Sequence, residues 1–152
     1  MDADSSNYSS SDLVRFVVGA AKASEDAIAP TGLTLMQYHI LDRLGRSKDG
    51  LRQQELVTAA ETPKSSAVTS LLNRLERNKW IRRSISSWSR KERLVKLTNT
   101  GRKVWVKARP QFEDNLQRRL KNFSREQIED LAKALKNLRD ALNPNQSKRN
   151  RQ

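Results

Sequence analysis

Ser66, Thr69, Ser70, Asn73 and Arg77 recur along one side of a run whose other side carries Val68, Leu71, Leu72 and Leu75. Helical spacing of this kind buries the apolar stripe and leaves a face of small groups that donate and accept hydrogen bonds. Nothing on that face is activated for bond breaking; its chemistry is recognition. A face this slim fits a groove about 12 Å wide, the width of the duplex major groove. Lys64 and Ser65 fall in the first turn of the same run, where free amides and the positive end of the helix dipole favour a phosphate. Asn73 is the candidate for two-point contact with adenine, and Arg74 follows it. The alternative reading of this face is an ordinary solvated helix surface.

Further along, Arg90, Lys91 and Arg93 surround Trp88 in a polar segment able to reach phosphates or enter a minor groove, with Arg90 the first choice for insertion. Three readings of Trp88 stay open: stacking on sugar or bases, packing back on its own hairpin, and contact with a neighbouring molecule.

Composition narrows the partner. Thirty Lys and Arg against 17 Asp and Glu in 152 residues give a net charge of +13, which calls for a polyanion, nucleic acid before an anionic membrane. The charge is uneven. Residues 51–101 carry 11 basic and 4 acidic side chains, whereas residues 1–50 carry 5 basic and 7 acidic. The absence of cysteine removes thiolate nucleophiles, disulfides and cysteine switches. One histidine, His39, cannot make a multi-histidine zinc site. With no glycine-rich phosphate loop either, the chain is expected to be no enzyme and to need no cofactor or metal. No long apolar run or leader is visible, so the expected setting is cytoplasmic, at the nucleoid.

The elements that must position these residues are mostly helical. Leu13, Phe16, Val17, Ala20, Ala27 and Ile28 predict a helix from Asp12 to about Ala29, ended by Pro30 and Gly32. Thr34 and Gln37 have capping-box spacing, and Leu35, Tyr38, Leu41 and Leu44 follow as a stripe to about Arg46. Gln53 to Ala60 reads as a short third helix. Thr62-Pro63 opens the fourth, which carries the polar face described above. Trp80–Ile85 and Arg93–Thr98 predict two strands of an antiparallel hairpin. A long helix runs from about Asn99 toward Lys121. Ser124 and Gln127 cap a last one, with Ile128, Leu131, Leu135, Leu138 and Leu142 as its stripe, before Asn143-Pro144.

The expected fold is therefore mainly α with a small β-hairpin wing: a winged helix-turn-helix with N- and C-terminal dimerisation helices. Residues 1–10 and the basic tail 144–152 read as disordered, 33–98 as the DNA-binding region, and 11–32 with 99–143 as a helical dimerisation region. The terminal helices carry more apolar surface than the small central unit can bury, which points to a second copy.

Leu33-Thr34-x-x-Gln37, Asn73-Arg74-Leu75-Glu76 and Val95-x-Leu97-Thr98-x-x-Gly101 resemble, in order and spacing, the MarR family of bacterial transcriptional regulators. The resemblance implies a triangular homodimer whose recognition helices enter successive major grooves of a pseudo-palindromic operator, acting as a repressor. Many members release DNA when a small aromatic or anionic effector binds between the two regions. By resemblance the pocket positions are Phe16, Tyr38, His39 and Trp105; core or interface packing accounts for the same residues.

The sequence departs from the family in three respects. Ser89 and Lys91 stand where an Asp and an Arg brace the wing tip. Lys79 replaces the usual glycine after the recognition helix, which leaves Asn78 to take the left-handed turn. Asn73 replaces a common aspartate, removing repulsion from phosphates. The competing functional reading is an architectural protein that coats DNA through charge, with little sequence preference and no effector switch. A third is a basic module that contacts RNA or protein through its terminal helices.

Overall fold

The computed structural model describes the backbone of residues 9–59, 65–85 and 92–142. The elements run α1 (Ser10–Ile28), a 3-10 turn (Ala29–Thr31), α2 (Leu35–Arg46), β1 (Leu51–Arg52), α3 (Gln53–Ala59), α4 (Ser65–Arg77), β2 (Ile81–Ile85), β3 (Arg93–Leu97), α5 (Asn99–Leu120) and α6 (Arg125–Leu142). The mainly helical winged-helix architecture expected from the sequence is present.

The helix starts follow their caps. Thr34 accepts the amide of Gln37, whose side chain accepts the amide of Thr34 in return. Ser124 and Gln127 make the same pair of bonds at the start of α6. Ser9 and Asp12 form a further capping box that the reading of α1 had not used, so the helix begins at Ser10 rather than near Asp12.

The expected antiparallel hairpin forms from β2 and β3, and the sheet adds a strand that the sequence reading did not include. It has three strands in the order β1-β3-β2, because Leu51 and Arg52 pair with Val95 and Leu94 at the free edge of β3. A two-residue strand is too short to show alternation, so pairing rather than pattern defines it. Glu55 accepts the Arg52 amide at 2.6 Å, which turns the chain from β1 straight into α3.

The core is a single cluster in which Leu41, Leu44, Leu56, Leu72, Leu75 and Val95 are fully or almost fully buried. α2 packs on α5, and α1 reaches α5 mainly through its C-terminal end, where Ala27 and Ile28 are buried. Trp105 of α5 closes this side, its indole N–H donating to Asp42 at 3.0 Å.

The outer helices behave differently. Leu13, Phe16, Val17 and Val18 of α1 are exposed, as are Ile128, Leu131 and Leu135 of α6. Among the described residues α6 packs extensively against no other element, and its side chains are exposed from Arg125 to Asn137. No helix among the described residues is long and apolar enough to cross a membrane.

Candidate nucleic-acid interface

α4 divides as its spacing requires. Val68, Leu72 and Leu75 are buried and Leu71 half-buried, while Ser66, Ser70, Asn73, Arg74 and Arg77 are exposed and Thr69 half-buried. The helix thus lies on the core by one stripe and offers the polar set outward. Between α2 and α4 a groove of about 290 Å³ is lined by Met36, Leu71 and Arg74 among others. Of the expected contact residues, Lys64, Trp88, Arg90 and Lys91 lie outside the described residues, as do Ser89 and the Ser65 side chain. Arg93 is exposed at the start of β3, opposite Ile85.

The join between α4 and the wing is tightly specified. Lys79 takes the left-handed conformation, with φ 58°, which corrects the expectation that Asn78 would do so. Its amide donates to the Glu76 carbonyl at 2.9 Å, and the Trp80 amide to the Leu75 carbonyl at 3.0 Å. Those two bonds form a Schellman motif, which requires the left-handed residue one place after the cap; with Asn78 as the cap, the role falls to Lys79.

From there β2 runs out along β3 in the register Ile81–Leu97, Arg83–Val95, Ile85–Arg93. Thr98 holds the base of the wing to α5: its hydroxyl donates to the Lys79 carbonyl and accepts the Gly101 amide, and its own amide donates to the Trp80 carbonyl.

Arg83, which the sequence reading did not single out, ties β2 to α4. Its Nε donates to Glu76 Oε2 at 2.9 Å, Nη2 donates to the same oxygen, and its backbone amide donates to Oε1 at 3.1 Å. The Arg83 hydrogen bonds hold the Glu76 carboxyl below the usual carboxylate range, against the opposing effect of its partial burial. Nη2 also donates to Asn73 Oδ1 at 2.7 Å, so one guanidinium joins α4 to β2. A signal did exist: alternation with Ile81 turns Arg83 to the inner side of β2, where a cation requires a partner.

The four residues named for an effector pocket divide between surface and core. Tyr38 is buried against Phe112, with ring centroids 4.6 Å apart. Burial, and then the negative charges of Asp42 and Glu113, push its phenol up to about 12. Trp105 is buried beside Asp42, with the Arg102 and Arg109 guanidinium groups 6.0 and 5.7 Å from its ring. His39 and Phe16 are exposed, and Arg15 lies 5.1 Å from the Phe16 ring.

A model of the MarR family matches residues 31–87. No curated protein sequence matches the chain. Solved structures do. AbsC, a MarR family transcriptional regulator from Streptomyces coelicolor, superposes with a TM-score of 0.76 at 23% identity over 90% of this chain and 97% of its own. MepR of S. aureus, solved as a DNA complex, gives 0.72 at 23% identity over 89% and 99%. CouR from Rhodococcus jostii RHA1, solved with p-coumaroyl-CoA bound, gives 0.73 at 18% identity over 90% and 96%.

Proposed function

We propose that this chain, a MarR-family winged helix-turn-helix protein over residues 31–87, is a dimeric, non-enzymatic regulator that represses transcription by binding a pseudo-palindromic operator in duplex DNA. The observation that carries the reading is the outward face of α4. Ser66, Ser70, Asn73 and Arg74 form an exposed, slender, hydrogen-bonding surface on a helix anchored by Val68, Leu72 and Leu75.

Charge supports it, since residues 51–101, which contain α4 and the wing, carry 11 basic against 4 acidic side chains, whereas residues 1–50 carry 5 against 7. Lys64 and Ser65 would fix register on phosphate, Asn73 would read a base edge, and Arg90, Lys91 and Arg93 would hold the flanking backbone. The exposed apolar stripes of α1 and α6 support a second copy, which would carry the second recognition helix about one helical turn away. CouR's ligand supports an anionic effector as the class of molecule that would release the DNA.

The test is recovery of bound genomic fragments by the purified protein at about 0.15 M salt, where purely electrostatic binding is strongly reduced. The reading requires an inverted repeat shared by the recovered fragments. Featureless fragments would favour a charge-driven architectural protein instead.

A further inference from the structure

The Asn73 carboxamide is fixed by what faces it. A guanidinium carries donors and no acceptor, so the Asn73 atom 2.7 Å from Arg83 Nη2 is the carbonyl oxygen, and the amide NH2 is the end turned away from that cation. Arg83 cannot follow Asn73 as it turns, because Glu76 holds the guanidinium through Nε and Nη2 and holds the Arg83 backbone amide as well. The arrangement spans two elements, so the sequence position of Asn73 alone does not determine it.

We propose that Arg83, which lies outside the recognition helix, sets the base preference of Asn73 and turns it from a reader of adenine into a donor that selects guanine. The inference rests on the DNA-binding reading above. Two-point recognition of adenine needs the carboxamide oxygen to accept from the adenine amino group while the NH2 donates to N7. Here the oxygen already accepts from a cation, and an approaching amino group would meet that positive charge.

Guanine instead presents N7 and O6, two acceptors side by side, to the amide NH2. Donation from Arg83 to the oxygen polarises the amide and strengthens its N–H groups as donors. The same positive charge favours the electron-rich guanine edge. Arg83 is thus a positioning residue, and its effect is confined to the one base pair that Asn73 meets.

The test selects bound duplexes from a randomised pool with full-length wild type, Asn73→Ala and Arg83→Gln. The half-site position whose preference disappears in Asn73→Ala identifies the base that Asn73 reads. We expect guanine there in wild type. In Arg83→Gln, adenine should gain about two- to tenfold on guanine at that position while the other positions keep their preferences.

A second measurement does not depend on the Arg83 variant folding. Guanine at that position is replaced by 7-deazaguanine, which lacks the N7 acceptor, and this should weaken wild type but not Asn73→Ala. Adenine selected by wild type, an unchanged guanine-to-adenine ratio in folded Arg83→Gln, or equal losses on the deaza duplex in both proteins would each overturn the inference. A wild-type pool with no sequence preference would remove the DNA-reading function itself, and this inference with it.

Discussion

Gly101 lies directly against the Trp80 carbonyl: a Cβ at Gly101 would sit 1.8 Å from that oxygen and 2.7 Å from its carbon. The obstacle is backbone, and Thr98 pins that backbone through the Trp80 and Lys79 carbonyls. Only a residue without a side chain lets α5 start beneath the base of the wing.

Gly101→Ala should therefore force the wing root and α5 apart. The expected cost is at least about 3 kcal/mol, the upper range for overpacking at a site that cannot relax. In a protein of this size that lowers the melting midpoint by roughly 6–12 °C. A midpoint within two degrees of wild type, about the shift expected from under 1 kcal/mol, would contradict the close packing.

Lys79 offers a change of opposite sign. It holds φ 58° with a full side chain, a conformation that costs an ordinary residue about 1–2 kcal/mol and glycine almost nothing. Part of the gain is lost to the greater freedom of glycine in the unfolded chain. Lys79→Gly should stabilise the DNA-free protein by about 0.5–1 kcal/mol, read as a rightward shift of the urea midpoint at unchanged slope. A destabilised variant would show that the Lys79 side chain contributes more than its backbone strain costs.

Tyr38 makes stability fall in alkali. Its folded pKa is raised from 10.0 to about 12, first by burial and then by Asp42 and Glu113, so the fold favours the neutral phenol. That contribution is complete below about pH 10 and is lost as pH rises toward 12, because the unfolded chain releases the proton first. Tyr38→Phe keeps the ring against Phe112 and removes the titrating group. The difference between wild-type and Tyr38→Phe denaturation free energies should be flat below about pH 10 and change steadily above it. A difference independent of pH would show that the phenol titrates alike in both states.

Asn73 and Arg90 separate sequence reading from charge. Asn73→Ala should weaken binding to the selected operator more than binding to random duplex, by about 1–3 kcal/mol. Arg90→Ala should weaken both and lower the slope of log affinity against log salt by roughly one, as loss of one phosphate contact requires. Titrations at several salt concentrations read both quantities. Equal losses for Asn73→Ala on the two duplexes, or an unchanged slope for Arg90→Ala, would refute the assigned role.

What was legible in the sequence is what depends on local spacing. Thr34 with Gln37 and Ser124 with Gln127 announce their helix starts because a capping box is complete within four residues. The stripe of Val68, Leu72 and Leu75 orients α4, and its polar face follows by subtraction. What stayed hidden depends on elements meeting. β1 exists only through its pairing with β3, and the Arg83 bonds to Glu76 and Asn73 need the turn at Lys79 to bring β2 back along α4. Lys79 lies between: its replacement of glycine was visible, but counting the cap from the end of α4 is what places the left-handed residue there rather than at Asn78.

Leu131 and Leu135 test assembly. They stand one turn apart on α6, 48% and 42% exposed, on a helix that packs extensively against no other element among the described residues. If the stripe seats on a second copy, each leucine has about 1 kcal/mol of burial still to gain, roughly half the value for a whole side chain. A two-fold interface counts every residue twice. Replacing both by lysine should therefore weaken the dimer by about 4 kcal/mol, close to a thousandfold in its dissociation constant. The monomer should stay folded, since neither side chain belongs to the core. Sedimentation of wild type and variant at matched concentrations decides: a wild-type dimer that dissociates in the double variant supports the assembly. A monomeric wild type, or a dimer that the lysines leave intact, places the apolar face of α6 outside the interface.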